Sequence, residues 1–296
     1  MQNSGNLSTA TAPSQAATVT IGRERHALTG PSVRLDPRFY PVRADLTDVR
    51  LADRVFAPHY AMATARTAVA PCALRSGVGV DAPVISELLP GDCFDLLELT
   101  DQTAWGVSMT DGLVGYVDAA VLGDAVAATH RIVQREALFR EAPDSNATIL
   151  AASPMGARVT ALGERGAFLL CDHGYVARDA VAPLDQGYPG GVAGAAVALI
   201  GLPERAAGRS GSGVDATGFV FLAHDLANIR APRLFDAIGG SLGVAGGPGD
   251  VMIFNDHLAI CVDDDSAVHV DGAVKRESLS QLEERYGALV ARGRIG

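Results

Sequence analysis

The stretch G-S-G-V-D-A-T-G-F-V-F-L-A-H-D-L, residues 211–226, decides how the rest of the sequence is interpreted. A glycine-rich start leads to Asp215, and small and apolar residues follow at helical spacing. This pattern predicts a tight loop that leads into the N-terminus of a buried helix, with Asp215 as its N-cap. Nucleophiles often lie at such a position, because the helix N-terminus favours a thiolate. The residue at the turn is nevertheless Ala216, which has no reactive group.

Two histidines follow in a segment whose apolar runs predict antiparallel strands. His257 opens one strand and His269 lies twelve residues later on the next, each six residues from Asp263. A hairpin centred on Asp263 would place the two imidazoles side by side, within hydrogen-bonding reach. A nucleophile at a helix N-terminus, with a base and an orienting group on a neighbouring sheet, is the papain-like arrangement. A single strand histidine is more often structural, so the spacing alone leaves both interpretations open.

The sequence upstream of this region contains an internal repeat over residues 68–123 and 129–184. Both copies alternate short apolar strands with Gly, Pro or Asp turns, and both contain a Gly-Tyr-Val strand. This spacing predicts two small antiparallel β-barrels, which resemble bacterial SH3-like domains. Trp105, Tyr116 and Tyr175 are the aromatic residues that could face a ligand, but the pattern favours a packing role for each.

Composition and charge argue against several classes of protein. The 296 residues carry a net charge of −10 without a run of Lys or Arg, which disfavours nucleic acid or an anionic membrane as partner. No segment approaches the roughly 20 consecutive apolar residues that span a bilayer. The N-terminus lacks a basic start followed by an apolar core, so no secretory signal is predicted and we expect a cytoplasmic protein. The scattered cysteines predict neither a metal site nor a disulfide framework, and no cofactor is expected; they are Cys72, Cys93, Cys171 and Cys261.

These patterns divide the chain into five parts. Residues 1–30 are predicted to be a flexible polar tail, and residues 31–67 an extended segment that wraps another part. Residues 68–125 and 126–186 are the two predicted barrels. Residues 187–296 are predicted to form an α+β domain, in which a helix layer precedes a short antiparallel sheet. The expected fold class is α+β, with two small SH3-like β-barrels followed by a papain-like domain.

The last of these parts resembles the NlpC/p60 family of murein peptidases, which are cysteine enzymes with a papain-like fold. Family members typically read G-T-P-Y-x-W-G-G, then D-C-S-G-L-V, then G-D-L-V-F with H-V-G-I, and finally I-H-A. The matching segments are residues 201–208, 215–220, 249–254, 257–260 and 268–270. The order of SH3-like repeats before the last domain also resembles that of murein tripeptide recyclers.

The resemblance implies roles for five residues. Ala216 occupies the nucleophile position, His257 would be the base, and His269 would orient it. Asp215 and Thr217 would hold the free amine of a murein peptide that begins with L-Ala. Such enzymes cut the bond between D-Glu and the diamino acid.

The chain departs from the family pattern at four positions. Ala216 stands where the family has cysteine, and Glu204, Ala206 and Ala207 replace a tyrosine, an aromatic residue and a glycine. The loop changes leave the substrate class open. Ala216 has two open explanations: a cysteine replaced to trap a complex, or a natural pseudoenzyme that binds muropeptides or acts as an adaptor. Cys261 lies four residues beyond the base, roughly 13 Å along a strand, and is predicted to be core rather than a substitute nucleophile.

Overall fold

The computed structural model describes residues 33–296, and the predicted tail at residues 1–30 lies outside that range. The described residues contain 24 β-strands, four α-helices and three short 3-10 helices. The protein is therefore a mixed α/β structure in which sheet predominates. No helix within residues 33–296 combines the length and apolar character needed to cross a membrane.

The first part of the structure is a small parallel pair followed by a seven-stranded sheet. The pair is β1 Leu46–Asp48 and β2 His59–Ala61, with 3-10 helix Val49–Leu51 between them. The strands of the larger sheet are β3 Thr64–Ala68, β4 Cys72–Arg75, β5 Val84–Leu88, β6 Cys93–Leu99, β7 Thr103–Ser108, β8 Val114–Asp118 and, after 3-10 helix Ala119–Val121, β9 Leu122–Asp124. Their order is β5-β4-β8-β7-β6-β3-β9. Since β3 begins at Thr64, the predicted wrapping segment contributes its last residues to this sheet.

The segment before β3 covers one face of this sheet. Trp105 is 3% exposed and belongs to an apolar cluster that includes Leu46 and Ala61 of that segment. The guanidinium carbon of Arg43 lies 4.4 Å from the centre of the Trp105 ring, within the range of a cation–π interaction. Tyr116 packs against the same cluster. The packing roles predicted for Trp105 and Tyr116 are therefore confirmed.

A second set of strands repeats the order of the first. It consists of β10 His130–Ile132, β11 Glu136–Arg140, β12 Ile149–Pro154, β13 Arg158–Val159, β14 Ala161–Arg165, β15 Phe168–Cys171, β16 Gly174–Ala177 and, after 3-10 helix Arg178–Ala180, β17 Val181–Pro183. The sheets run β12-β11-β16-β15-β14 and β13-β10-β17. The two sheets together have the strand order of the first set, with β13 and β14 in the place of β6. The strand that corresponds to β6 is divided in two at Thr160.

Neither set of strands closes into a barrel within the described residues, and the prediction of closed barrels is wrong. Both sets are open sheets in which the outermost strands, β5 and β12, pair on one side only. A shift of register at Leu74/Arg75 bends the first set beside its edge strand, and a shift at Phe139/Arg140 does the same in the second.

The C-terminal part has a helix layer followed by an antiparallel sheet, as predicted. Its elements are α1 Gly191–Ala198, β18 Arg209–Ser210, β19 Gly213–Val214, α2 Ala216–Leu226, α3 Phe235–Gly240, β20 Val251–Phe254, β21 His257–Cys261, β22 Ser266–Asp271, β23 Ala273–Ser278, α4 Leu279–Tyr286 and β24 Leu289–Gly293. The five-stranded sheet has the order β23-β22-β21-β20-β24, and β18 pairs separately with β19.

The two faces of the five-stranded sheet pack against different helices. Because side chains alternate along a strand, Leu258 and Ile260 of β21 point to one face and Ala259 and Cys261 to the other. Leu258 and Ile260 lie in the apolar cluster formed with α1 and α2. Ala259 and Cys261 lie in a second cluster with Leu282 of α4. Cys261 is fully buried, which confirms its predicted place in the core.

Buried ion pairs join the first sheet, the second set of strands and the C-terminal part. The guanidinium of Arg209, 1% exposed, contacts the carboxylates of Asp92 and Asp111. Arg158 connects Asp92 to Asp225, with both distances at 2.8 Å. Burial opposes ionisation of Asp92, but the charges of Arg209 and Arg158 outweigh it and keep its pKa below the usual value. We call Asp92, Asp111, Arg158, Arg209 and Asp225 the ionic hub.

Candidate active site

Helix α2 begins at Ala216, and Asp215 caps it. Asp215 has extended backbone geometry, and its Oδ1 accepts a hydrogen bond from the amide of Gly218 at 2.6 Å. This bond satisfies one of the free N–H groups at the start of the helix. The prediction of a capped helix N-terminus at this position is confirmed.

Asp215 and Thr217 also bind other groups of the chain. Asp215 Oδ2 accepts from the amide of Ala207 and from Nη2 of Arg233, both at 2.9 Å. Thr217 Oγ1 donates to Asp215 Oδ1 at 3.0 Å and accepts from Nη1 of the buried Arg233. Ala207 has a φ of 58°, which favours glycine, and the family motif has glycine there. The binding of a ligand amine by Asp215 and Thr217 stays a prediction.

The loop before α2 is held by the first sheet. Glu87 on β5 accepts from the amide of Arg209 at 2.7 Å through Oε1 and from Nη2 of Arg205 at 2.5 Å through Oε2. On the other side, Glu204 Oε2 accepts from the amide of Gly272, between β22 and β23, at 2.7 Å. Glu87 could not be found from the sequence, because nothing in its local pattern connects it to a loop more than a hundred residues away.

His257 and His269 lie on neighbouring strands and form a hydrogen bond. Nε2 of His257 is 2.9 Å from Nδ1 of His269, which confirms the predicted contact. The predicted register is wrong by two residues, since Ala259 rather than His257 lies opposite His269. The turn is centred on Asp264 because Ser266 binds back, with its carbonyl accepting from the amide of Val262 and its hydroxyl donating to Asp263. The two histidines are therefore diagonal neighbours on one face, still close enough for their rings to meet.

The surroundings of the pair keep both imidazoles neutral. Tyr286 of α4 stacks on His257, with ring centroids 3.6 Å apart and an interplanar angle of 4°. Burial, followed by the neighbouring His269, lowers the pKa of His257 to about 4. Burial also lowers the pKa of the fully enclosed His269, and Nε2 of that ring lies 3.3 Å from Oε2 of Glu277. Near neutral pH each ring is therefore a neutral imidazole with a single N–H.

The predicted nucleophile position, residue 216, carries no reactive group, and the role of His257 as a base stays a prediction. Nδ1 of His257 makes no hydrogen bond within residues 33–296, whereas Nε2 is bound to His269. Helix α2 packs on the face of the sheet that carries Leu258 and Ile260, whereas His257 lies on the face of Ala259, against Tyr286 of α4. The expectation that both imidazoles face the start of α2 stays a prediction. The methyl group of Ala216 cannot attack a carbonyl. The thiol of Cys261 donates to the carbonyl oxygen of Asp263 at 3.1 Å within the core, so it does not replace the missing group.

The described residues contain no group of three or more His, Cys, Asp or Glu side chains that could hold a metal ion.

Residues 74–122 match the family described as "Bacterial dipeptidyl-peptidase Sh3 domain". An SH3-like domain is therefore present in the first sheet. For the second set of strands, the SH3-like assignment stays a prediction. No curated protein sequence matches the chain.

Solved structures resemble most of the chain. An NlpC/P60 family protein from Bacillus cereus superimposes with a TM-score of 0.66 over 78% of this chain and 99% of its own, at 14% identity. An NlpC/P60 endopeptidase from Photobacterium damselae gives a TM-score of 0.51 over 77% of this chain and 70% of its own, at 11% identity. This chain has an NlpC/P60-like fold. At these identities the likeness concerns the fold alone.

Proposed function

We propose that this chain is a murein-peptide cysteine endopeptidase scaffold that lacks its nucleophile. The bond that this scaffold would cleave joins the γ-carboxyl of D-Glu to the diamino acid in peptides that begin with a free L-Ala. The setting is cell-wall recycling in the cytoplasm. Position 216 is the place of the nucleophile, His257 is the base and His269 orients it.

The hydrogen-bonded histidine pair carries this proposal. A strand histidine that only fills space does not require a second imidazole at 2.9 Å, with Tyr286 stacked at 3.6 Å on the first ring. A base needs such support, because one nitrogen must be held while the other stays free to take a proton. The capped start of α2 at Asp215 and the NlpC/P60-like fold add to this support.

The test is to restore a thiol with Ala216→Cys and to supply L-Ala-γ-D-Glu-diaminopimelate. An enzyme of this type without its nucleophile keeps only the residual acceleration of about 10³–10⁴ over water that binding and the oxyanion site provide. The parent should therefore bind the peptide in calorimetry without measurable hydrolysis. Ala216→Cys should cleave it near neutral pH, and the double variant Ala216→Cys/His257→Gln should not.

The possible failures of this experiment have different meanings. If Ala216→Cys binds the peptide and leaves it intact, the chain is a binding protein and the peptidase proposal is refuted. If neither the parent nor Ala216→Cys binds it, the substrate assignment is refuted as well.

One observation favours a second function, that of a natural pseudoenzyme that binds muropeptides or serves as an adaptor. Asp215 receives hydrogen bonds from Gly218, Thr217, Ala207 and Arg233. An ionised carboxylate has about four acceptor sites, so a ligand amine would compete with these internal donors. Calorimetry with the free peptide and its N-acetylated form tests whether the free amine is recognised, and so separates a muropeptide site from an adaptor. The peptidase proposal expects the free amine to bind at least about tenfold more tightly, and equal affinity would favour the adaptor.

A further inference from the structure

We infer that Glu277 determines which nitrogen of His257 carries the proton, and thereby leaves Nδ1 of His257 free to accept one. Glu277 is a positioning residue in this scheme, since it acts through His269. The inference deepens the proposed function and rests on it for its catalytic meaning. Its first measurement needs neither a nucleophile nor a substrate.

Glu277 lies on β23 in a setting that keeps it ionised. Its Oε1 is 3.2 Å from Nζ of Lys275 and 3.2 Å from Nη1 of Arg285. Burial favours the protonated form of Glu277, but the hydrogen bond from Lys275 and the neighbouring positive charges outweigh it and lower its pKa. With Oε1 directed to these cations, Oε2 is left facing His269. An ionised carboxylate can accept hydrogen bonds but cannot donate one.

The contact between Glu277 and His269 fixes the first proton. Oε2 of Glu277 and Nε2 of His269 are 3.3 Å apart, which is long for a hydrogen bond, and both atoms are buried. Neither atom has a closer polar partner within the described part of the chain. If Nε2 carried no proton, two buried acceptors would face each other, which is costly in a medium of low dielectric constant. We therefore assign the proton of neutral His269 to Nε2.

The second proton follows from the first. A neutral imidazole has one N–H, so Nδ1 of His269 is an acceptor. The hydrogen bond of 2.9 Å to His257 then requires that Nε2 of His257 is the donor. The lone pair of His257 lies on Nδ1, which has no partner within residues 33–296. Stacking on Tyr286, at 3.6 Å and nearly parallel, opposes rotation of the ring that would exchange the two nitrogens.

The opposite arrangement would disable the site. If Nδ1 of His269 carried the proton, it would donate the hydrogen bond to Nε2 of His257. The single proton of neutral His257 would then lie on Nδ1. A protonated Nδ1 cannot take a proton from a nucleophile. The anionic Oε2 of Glu277 disfavours this state, because the carboxylate oxygen would then face the lone pair of Nε2 of His269 at 3.3 Å.

The first experiment measures the tautomers directly by long-range ¹H–¹⁵N correlation NMR on the ¹⁵N-labelled chain near pH 7. His257 is assigned from the signals lost in His257→Gln. We expect protonated Nε2 and unprotonated Nδ1 on His257, in the parent and in Glu284→Gln. Glu284 is exposed on α4 and its substitution makes the same change of charge. A parent protein with its proton on Nδ1 of His257 would overturn the inference without any variant.

Glu277→Gln should reverse the direction of the hydrogen bond between His257 and His269. Its amide oxygen should remain with Lys275 and Arg285, which turns the NH₂ group toward Nε2 of His269. That ring must then accept at Nε2 and donate from Nδ1, so His257 becomes protonated on Nδ1. An unchanged tautomer in Glu277→Gln would overturn the inference.

The second experiment adds kinetics in the Ala216→Cys background. Glu277→Gln should lower kcat/KM for the peptide by about tenfold to a hundredfold with little change in KM, because it alters proton transfer rather than binding. Glu284→Gln should leave both constants unchanged. An inactive Ala216→Cys protein with the expected tautomers would refute the proposed function alone. An active one whose kcat is unaffected by Glu277→Gln would refute the role of Glu277 alone.

Discussion

At the scale of single residues, the carboxylate of Asp215 accepts hydrogen bonds from four groups, one of which is the hydroxyl of Thr217. It caps α2 through Gly218, holds the amide of Ala207 and pairs with Arg233. Asp215→Ala should lower the free energy of unfolding by about 2 kcal/mol or more, since it removes the cap and leaves the buried Arg233 without its carboxylate. Asp215→Asn keeps an acceptor for Gly218 and should cost less. Urea unfolding of the three proteins measures this, and equal stability of Asp215→Ala and the parent would contradict the assignment.

A second residue-scale prediction concerns pH. The pKa of His257 is about 4 in the folded protein and about 6.5 when exposed, so unfolding takes up a proton between these values. The stability that neutral His257 contributes is therefore present above pH 6.5 and is lost as the pH falls toward 4. Burial lowers the pKa of His224 and His269 as well, so the free energy of unfolding of the parent should fall steeply as the pH is lowered from 6.5 toward 4.

His257→Gln should make the urea midpoint depend less steeply on pH within this window. His59→Gln, at an exposed position, should keep the slope of the parent. If the two variants had the same slope, the buried, neutral state of His257 would be wrong.

At the scale of elements, the turn between β20 and β21 shows how the sheet and α4 support each other. Asn255 has a φ of 50°, and its side-chain amide donates to the carbonyl oxygen of Tyr286 at 2.6 Å. Asn255→Gly keeps the backbone conformation and loses only this hydrogen bond. Asn255→Ala also loses this hydrogen bond, and its Cβ disfavours the positive φ. It should therefore be less stable than Asn255→Gly by about 1 kcal/mol. Urea unfolding tests the difference, and an alanine variant as stable as the glycine variant would contradict the account.

The elements of the C-terminal domain were predictable from sequence to different degrees. The start of α2 could be predicted because Asp215 and the apolar residues after it act locally. The register of His269 could not, since it depends on how the side chain of Ser266 binds Asp263 in the turn. Glu277 was missed for a related reason: only the pairing of β22 with β23 brings it to His269.

At the scale of the whole molecule, the sequence did not predict how the parts of the chain are joined. The repeat pattern predicted small strands and turns, whereas barrel closure depends on pairing of distant edges, which local spacing does not determine. The ionic hub was invisible in the sequence, because Asp92 and Arg209 are 117 residues apart and meet only in the folded chain.

The hub leads to a prediction about cooperativity. Trp105, the single tryptophan, reports on the first sheet, whereas far-ultraviolet circular dichroism reports on the whole chain. In the parent the two urea transitions should coincide. Arg209→Met removes the cation beside the buried Asp111 and one of the two cations beside Asp92. It should cost about 3–5 kcal/mol, with the fluorescence transition at the lower urea concentration. Arg178→Met, which breaks an exposed pair with Glu164, should cost less than about 1 kcal/mol. A normal midpoint in Arg209→Met would contradict the role of the hub.

The central claim is that the start of α2 and His257 together form a nucleophile–base site, and the pH dependence of alkylation of the Ala216→Cys thiol tests it most directly. Mass spectrometry separates this thiol from Cys72 and Cys93, whose pKa values burial raises. We predict an apparent thiol pKa well below the usual value of about 8.5, and a return toward that value in Ala216→Cys/His257→Gln. A thiol that titrates near 8.5 in both proteins would contradict the claim.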